Sequence, residues 1–349
     1  NDFSCRSIGL RTGNGKKSLF QPFFSHTVKK SISAFFCAGM MSVTTLSVHA
    51  EEATHVKMGI EPWLGYGQWH IASAKNLFEK EGLKQVEIIN FAEDKDINAA
   101  LASGQIDAAN IATHTAMGMI SAGLPVKIVL LLDQSNSADA ILATKDILSI
   151  KDLKGKQVAY EEGTTSDILL RSAIASEGLS FNDIKPVPMP AASAGNAIIA
   201  GRVPVAVTYE PYLSMAQKSD TNLKILYSGS SDPGLISDVL VIRDDFIKTH
   251  PDAIKALIQT WGKALDYYNA NTTEGRAIIS KAVGTTPEDL NTAFDGVKYF
   301  TLSDNKALLA HDFTTKTFPH ILKAATAAGI ITQPITTEQT IDTRFANAQ

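Results

Sequence analysis

The sequence predicts an α/β protein of two lobes, each a mixed, mainly parallel sheet flanked by helices. Three observations carry this. Strand-like and helix-like stretches alternate up to about Asp238, the pattern of parallel sheets covered by helices. A block of sequence occurs twice: Trp69–Glu81 with Gly82-Leu83, a strand-like stretch, Ala99–Gly104 and Ile106–Ala112 returns as Ser166–Glu177 with Gly178-Leu179, a strand-like stretch, Ala197–Gly201 and Val203–Thr208. Glu-Gly-Leu repeats at an offset of 96, from 81 to 177, and the second glycine at an offset of 97, from 104 to 201. Finally, each of these glycines stands where a helix can end in the left-handed conformation. Two similar units imply a cleft between them.

The elements follow in order. Lys29-Lys30, an apolar run from Ile32 to Val48 and the small-residue ending Val48-His49-Ala50 read as an export signal cleaved after Ala50. Serines and threonines interrupt that run, which is also short for a membrane anchor. Residues 1–27 resemble neither signal nor domain, and Val28 is the candidate true start. Val56–Ile60 alternates as a first strand, and the loop from Glu61 to Gly67 feeds the first helix. Val126–Leu132 is a continuous apolar run, expected as a buried strand. Gln157–Tyr160 is a short strand, and the turn Glu161–Thr165 opens the helix from Ser166. After the short strand Val239–Ile242 the character becomes helical, with starts after Pro251, Thr273 and Thr286. At the last of these, threonine N-cap, Pro287 and an acidic first turn coincide.

Composition narrows the function. The 349 residues are 44% hydrophobic and 19% charged, and the net charge of −4 lacks the basic excess that nucleic-acid binding needs. Cys5 and Cys37 both precede the cleavage point, so the mature chain is expected to have neither a disulfide nor a cysteine nucleophile. The histidines lack metal-ligand spacing, and neither a nucleophile elbow nor a phosphate-cradling loop occurs. No metal or cofactor is expected.

The candidate site residues lie in loops that follow strands, where open α/β sheets hold ligands. Trp63, Tyr66 and Trp69 form an aromatic wall or pack under the first helix. Gly163, Thr164, Thr165 and Ser166 offer backbone N–H groups and hydroxyls at a helix start, suited either to an anion or to ordinary capping. His114, beside Thr113, is a candidate donor. The loops hold Glu61, Asp133, Asp139, Glu161, Glu162, Glu210 and Asp238, but no lysine or arginine. If such acids face the cleft beside Trp63 and Tyr209, the site favours a cationic or amine-bearing ligand. Aligning the two copies sets Thr113 opposite Glu210, each nine residues past its glycine. That mismatch marks Glu210 as the expected selector.

Four motifs and their order carry a family resemblance: Asn76–Leu83, Ala102–Ala109, Asp152–Ala159 and Tyr209-Glu210-Pro211-Tyr212, continued by Arg243–Phe246 and His250-Pro251-Asp252. The chain resembles the substrate-binding proteins of ABC transporters for sulfonates, nitrate, taurine and thiamine-pyrimidine precursors. The resemblance implies a two-lobed periplasmic-binding-protein fold of type II, with two hinge crossings near 135–141 and 228–239. Lobe I would comprise residues 51–140 and 235–349, and lobe II residues 141–234. By position, the family's ligand contacts fall on Trp63, Tyr66, Thr113, Asp133, the 163–166 turn and Glu210. The implied role is a monomeric periplasmic protein that delivers a small molecule, expected to be nitrogenous, to an inner-membrane permease. The alternatives are a sulfonate, taurine or nitrate binder, a secreted sensor, and an enzyme like the thiamine-pyrimidine synthases. That last branch is cytosolic and carries a cysteine-rich motif, unlike this chain, and no enzyme activity is expected.

Overall fold

Strand β1 (His55–Ile60) leads into helices α1 (Gly67–Ala74) and α2 (Leu77–Lys80). Then come β2 (Gln85–Asn90), α3 (Asp94–Ser103), β3 (Ala108–Ala112), α4 (Thr113–Ser121) and β4 (Val126–Ser135). The chain crosses to β5 (Asp139–Ala143) and continues with β6 (Gln157–Tyr160), α5 (Thr165–Ser176), β7 (Lys185–Pro188) and α6 (Ala191–Ile199). β8 (Val205–Tyr209), α7 (Tyr212–Ser219) and β9 (Lys224–Ser228) follow, and β10 (Ser237–Arg243) returns. The remainder holds α8 (Asp244–Thr249), α9 (Pro251–Ala270), α10 (Thr272–Ala282), α11 (Pro287–Leu290), β11 (Val297–Tyr299), α12 (Leu302–Ala310) and α13 (Phe318–Ala327). This structure, a computed structural model, describes residues 54–348. The expected export signal, Val28 and both cysteines lie outside the described residues.

The sequence repeat has a direct structural counterpart. One sheet has six strands in the order β11-β4-β10-β3-β1-β2, and the other five in the order β7-β6-β8-β5-β9. β1 runs parallel to β2 and β3, as β6 does to β7 and β8. β10 lies antiparallel between β3 and β4, and β5 antiparallel between β8 and β9. Each half of the chain therefore sends its final strand into the other half's sheet. The glycines that mark the repeat end their helices left-handed, with φ of 78° at Gly104 and 70° at Gly201. There a Cβ would be strained, so the repeat preserves glycine for a backbone reason.

Packing follows the apolar pattern. Val126–Leu132, with Lys127 its only polar residue, becomes β4, buried at almost every position between β10 and β11. Beneath β1 a second core gathers Trp69, Phe78 and Trp261, with ring centroids 5.9 and 5.2 Å from Trp69. Two helix expectations change. The stretch Trp69–Glu81 does not form one helix, because Asn76 at φ 55° interrupts it. The start at Thr286 works as read, its side chain accepting from the Asp289 N–H, but the helix lasts a single turn.

Candidate functional site

Both sheets turn strand ends toward one cavity of about 100 Å³. From the first sheet's side come Glu61, Trp63 and Tyr66 after β1, Glu93 and Asp94 at the start of α3, and Asp238 on β10. From the second come Asp139 on β5, Glu161 and Thr164 between β6 and α5, Thr165 and Ser166 opening α5, and Tyr209 ending β8. Loops after parallel strands converge here because crossover helices occupy the sheet faces and leave the strand ends free.

Sheet register fixes the most buried acids. Asp238 stands opposite Asp133 across β10 and β4, and opposite Ala112, the last residue of β3. Asp139 stands opposite Tyr209, the last residue of β8. Since β3 and β8 are repeat equivalents, Asp139 and Asp238 hold matching positions on the two crossing strands. The Trp63 indole N–H is shared between Asp133 Oδ1 at 3.3 Å and Asp238 Oδ2 at 3.0 Å. The Tyr66 hydroxyl donates to Asp238 Oδ1 at 3.0 Å. Trp63 also meets Tyr209 edge-on at 6.0 Å, an aromatic contact between groups carried by the two sheets.

The lining includes no lysine or arginine. Burial pushes the Asp133 carboxyl well above the carboxylate range, and the facing Asp238 adds to the effect. Burial likewise raises Asp238 and Glu161, and pushes Asp139 up to about 7. Glu61 is pushed up to about 10 by burial and by Asp94 beside it. Such groups lack a counter-charge, and a bound cation would supply one. Three of the donors that could hold an anion are already engaged. Gly163 N–H donates to Asp167 Oδ2 at 2.9 Å, and Ala191 N–H, opening α6, donates to Glu161 Oε2 at 3.2 Å. The Thr164 hydroxyl donates to the Glu161 carbonyl at 3.0 Å. A carboxylate of the protein thus occupies the start of α6 and another the Gly163 N–H, while Thr165 and Ser166, opening α5 at the cavity, keep their N–H groups and hydroxyls unengaged among the described residues.

The candidate residues divide accordingly. Trp63, Tyr66, Thr164, Thr165, Ser166, Tyr209 and Asp238 line the cavity, and Asp133 lies directly behind Trp63. Trp69 does not reach it: fully buried, its indole donates to Asn110 Oδ1 at 2.7 Å, the packed alternative for this aromatic. Thr113 is buried and bonded to Ser237 Oγ at 2.8 Å. His114 is buried at the start of α4, where burial lowers it to about 4 and leaves it neutral. Gly163 lines a neighbouring hollow instead. Glu210 turns into α7, accepting from the Ser214 N–H at 3.0 Å and the Ser214 hydroxyl at 2.7 Å. Glu93 and Asp94 are the cavity acids that loop reading passed over. Their signal was available, since they follow a parallel strand and open a helix, as the chosen loops do. Among the described residues no cluster of His, Asp and Glu is arranged to hold a metal ion.

A family model described as NMT1/THI5 like matches residues 67–274, more than half of the chain. The chain belongs to that family. It is 26% identical over 261 residues to a protein of Brucella abortus (strain 2308) named provisionally as a binding protein, covering 74% of this chain and 81% of that one. It is 26% identical over 201 residues to the taurine-binding periplasmic protein of Escherichia coli (strain K12), covering 58% of this chain and 63% of that protein. Its fold matches the periplasmic aliphatic sulphonate binding protein SsuA of Escherichia coli with a TM-score of 0.68 at 18% identity, over 82% of this chain and 97% of that one. The periplasmic nitrate-binding protein NrtA of Synechocystis PCC 6803 matches with a TM-score of 0.66 at 19% identity, over 82% and 84%. The NMT1/THI5-like chain thus takes its place among the substrate-binding proteins of ABC transporters, with their two-lobed α/β fold. No helix among the described residues is long and apolar enough to cross a membrane.

Proposed function

We propose that this protein captures a small nitrogenous cation in the cleft and presents it, lobes closed, to the permease of an ABC importer. One observation carries the choice of ligand. Glu61, Glu93, Asp94, Asp139, Glu161 and Asp238 line the cavity with Trp63, Tyr66 and Tyr209, and no basic side chain joins them. An ammonium or protonated ring nitrogen would pair with the carboxylates and lie against the aromatic faces. The relatives' names support binding rather than catalysis, and the periplasm as its place. Contacts from both sheets would supply the differential affinity that favours the closed state.

The competing reading is a sulfonate, favoured by the taurine- and sulphonate-binding relatives. It meets the engaged donors at Gly163 and Ala191, whose carboxylate partners would repel it. The test is to purify the protein, unfold it, and identify the released small molecule by mass spectrometry. A compound with a basic nitrogen and no sulfonate is expected. Release of a sulfonate lacking any amine would overturn the reading.

A further inference from the structure

The Trp63 indole that walls the cavity is held from behind by two carboxyls. Asp133 and Asp238 face each other across β4 and β10 and share the indole N–H. Their surroundings are unequal. Asp238 accepts from Tyr66 and from Trp63, each at 3.0 Å, whereas Asp133 accepts the same indole at a longer 3.3 Å. No donor among the described residues reaches the fully covered Asp133 Oδ2. The Asp133 carboxyl instead meets that of Asp238. Two carboxylates offer each other only acceptors, so that contact is a hydrogen bond only when a proton lies in it.

The backbone is shaped to this seat. Gly65 lies in the buried turn Leu64–Tyr66 after β1, and a Cβ there would run into both Asp133 Oδ2 and Trp63 Nε1. Asp133 has a short side chain on a buried strand, so it has little room to yield. Charge agrees with the geometry. Burial raises Asp133, and the facing Asp238 adds to it. Burial also raises Asp238, but hydrogen bonds from Asp133, Tyr66 and Trp63 each lower it. The other titratable groups that act on the pair or feel it are Glu61, Tyr66, Asp94, Asp139 and Tyr299, none of which supplies a cation.

Resting on the reading that a cation occupies this cavity, we infer that Asp133 is a positioning residue that keeps the one proton of the pair. It gives that proton to Asp238 in a hydrogen bond and holds the Trp63 indole through Oδ1. Asp238 is left as the pair's single anion, fixed in place for the ligand. Gly65 provides the clearance that lets the carboxyl and the indole meet.

The first tests need no ligand. Infrared difference spectra near neutral pH compare the wild-type protein with Asp133→Asn and Asp238→Asn. Asp133→Asn should remove a protonated-carboxyl band and Asp238→Asn a carboxylate band. Loss of a carboxylate band in Asp133→Asn would overturn the assignment. An amide copies a neutral acid in shape and hydrogen bonds, so Asp133→Asn should melt near the wild-type midpoint; failure to fold would overturn it as well. The Trp63 indole N–H resonance, assigned with Trp63→Phe, should stay in place in Asp133→Asn and move in Asp133→Leu and Gly65→Ala. An indole unmoved by Asp133→Leu would overturn the positioning role, and one unmoved by Gly65→Ala would overturn the clearance. Titration with tetramethylammonium, ethylammonium and imidazolium chlorides then separates the two readings. Affinity should hold within a factor of about three in Asp133→Asn and fall about tenfold or more in Asp238→Asn. Equal falls in both would overturn the positioning role. If none of the three binds the wild-type protein while the spectra behave as expected, the cationic reading fails and the role of Asp133 stands.

Discussion

Asp139 and Asp238 carry the account residue by residue. Each is buried at the cavity with a carboxyl raised by that burial, and each sits on a strand that has crossed from the other half of the chain. Asp139→Asn and Asp238→Asn should each weaken an organic ammonium ligand by about tenfold or more, as lost charge-assisted contacts do, with a smaller effect on any neutral ligand. Calorimetry of both variants measures this. Trp69 makes the contrasting case. Trp69→Ala should cost about 3–5 kcal/mol of stability, as large core truncations do, while folded protein binds its ligand at near wild-type affinity. Denaturant melts paired with titration separate the two effects. Glu210→Ala should behave similarly on a smaller scale, costing about 1 kcal/mol for the lost acceptor at the helix start.

Strands and turns decide which loops face the cleft. The crossings are tight: a Cβ on Gly229, just after β9, would lie 2.4 Å from the Ser135 carbonyl oxygen and 3.0 Å from that of Asn136. Those atoms are backbone at the first crossing and cannot rotate away. Gly229→Ala should therefore destabilise the protein by about 1–3 kcal/mol, read as a lower melting midpoint. Most of this level was legible in the sequence. Alternation and apolar runs located β1, β4, β6 and β10, and the repeated glycines located the helix ends. The interruption at Asn76 was passed over although asparagine adopts the left-handed conformation more readily than most residues, because the pattern of apolar residues continues through Leu77 and Phe78. The two crossing strands were harder still, since short apolar runs such as Asp139–Ala143 do not reveal whether they pair with the preceding strand or a distant one. That ambiguity hid the equivalence of Asp139 and Asp238. It also left Glu210 as the expected selector, because a mismatch in a linear alignment does not show which way a side chain turns.

For the molecule as a whole, the cleft links stability to pH and to ligand. Asp139 has its carboxyl raised from 3.8 to about 7, so the folded state binds its proton more tightly than the unfolded chain. Stability from this group is full below about 3.8 and is lost as pH rises through 7. Glu61, raised from 4.5 to about 10, prolongs the decline. The ligand-free protein should therefore melt at progressively lower temperature across that range. A bound cation lowers both carboxyls toward their usual range, so its affinity should rise over the same interval.

The claim that the cleft selects cations is tested most directly by melting the purified protein against matched panels of organic ammonium compounds and sulfonates near neutral pH. A ligand at about 100 times its dissociation constant adds roughly 2.7 kcal/mol, a clear shift in midpoint. The account predicts that ammonium compounds raise the midpoint, more so at higher pH, and that Asp139→Asn removes about half of the shift or more. A rise with sulfonates alone, untouched by Asp139→Asn, would contradict it.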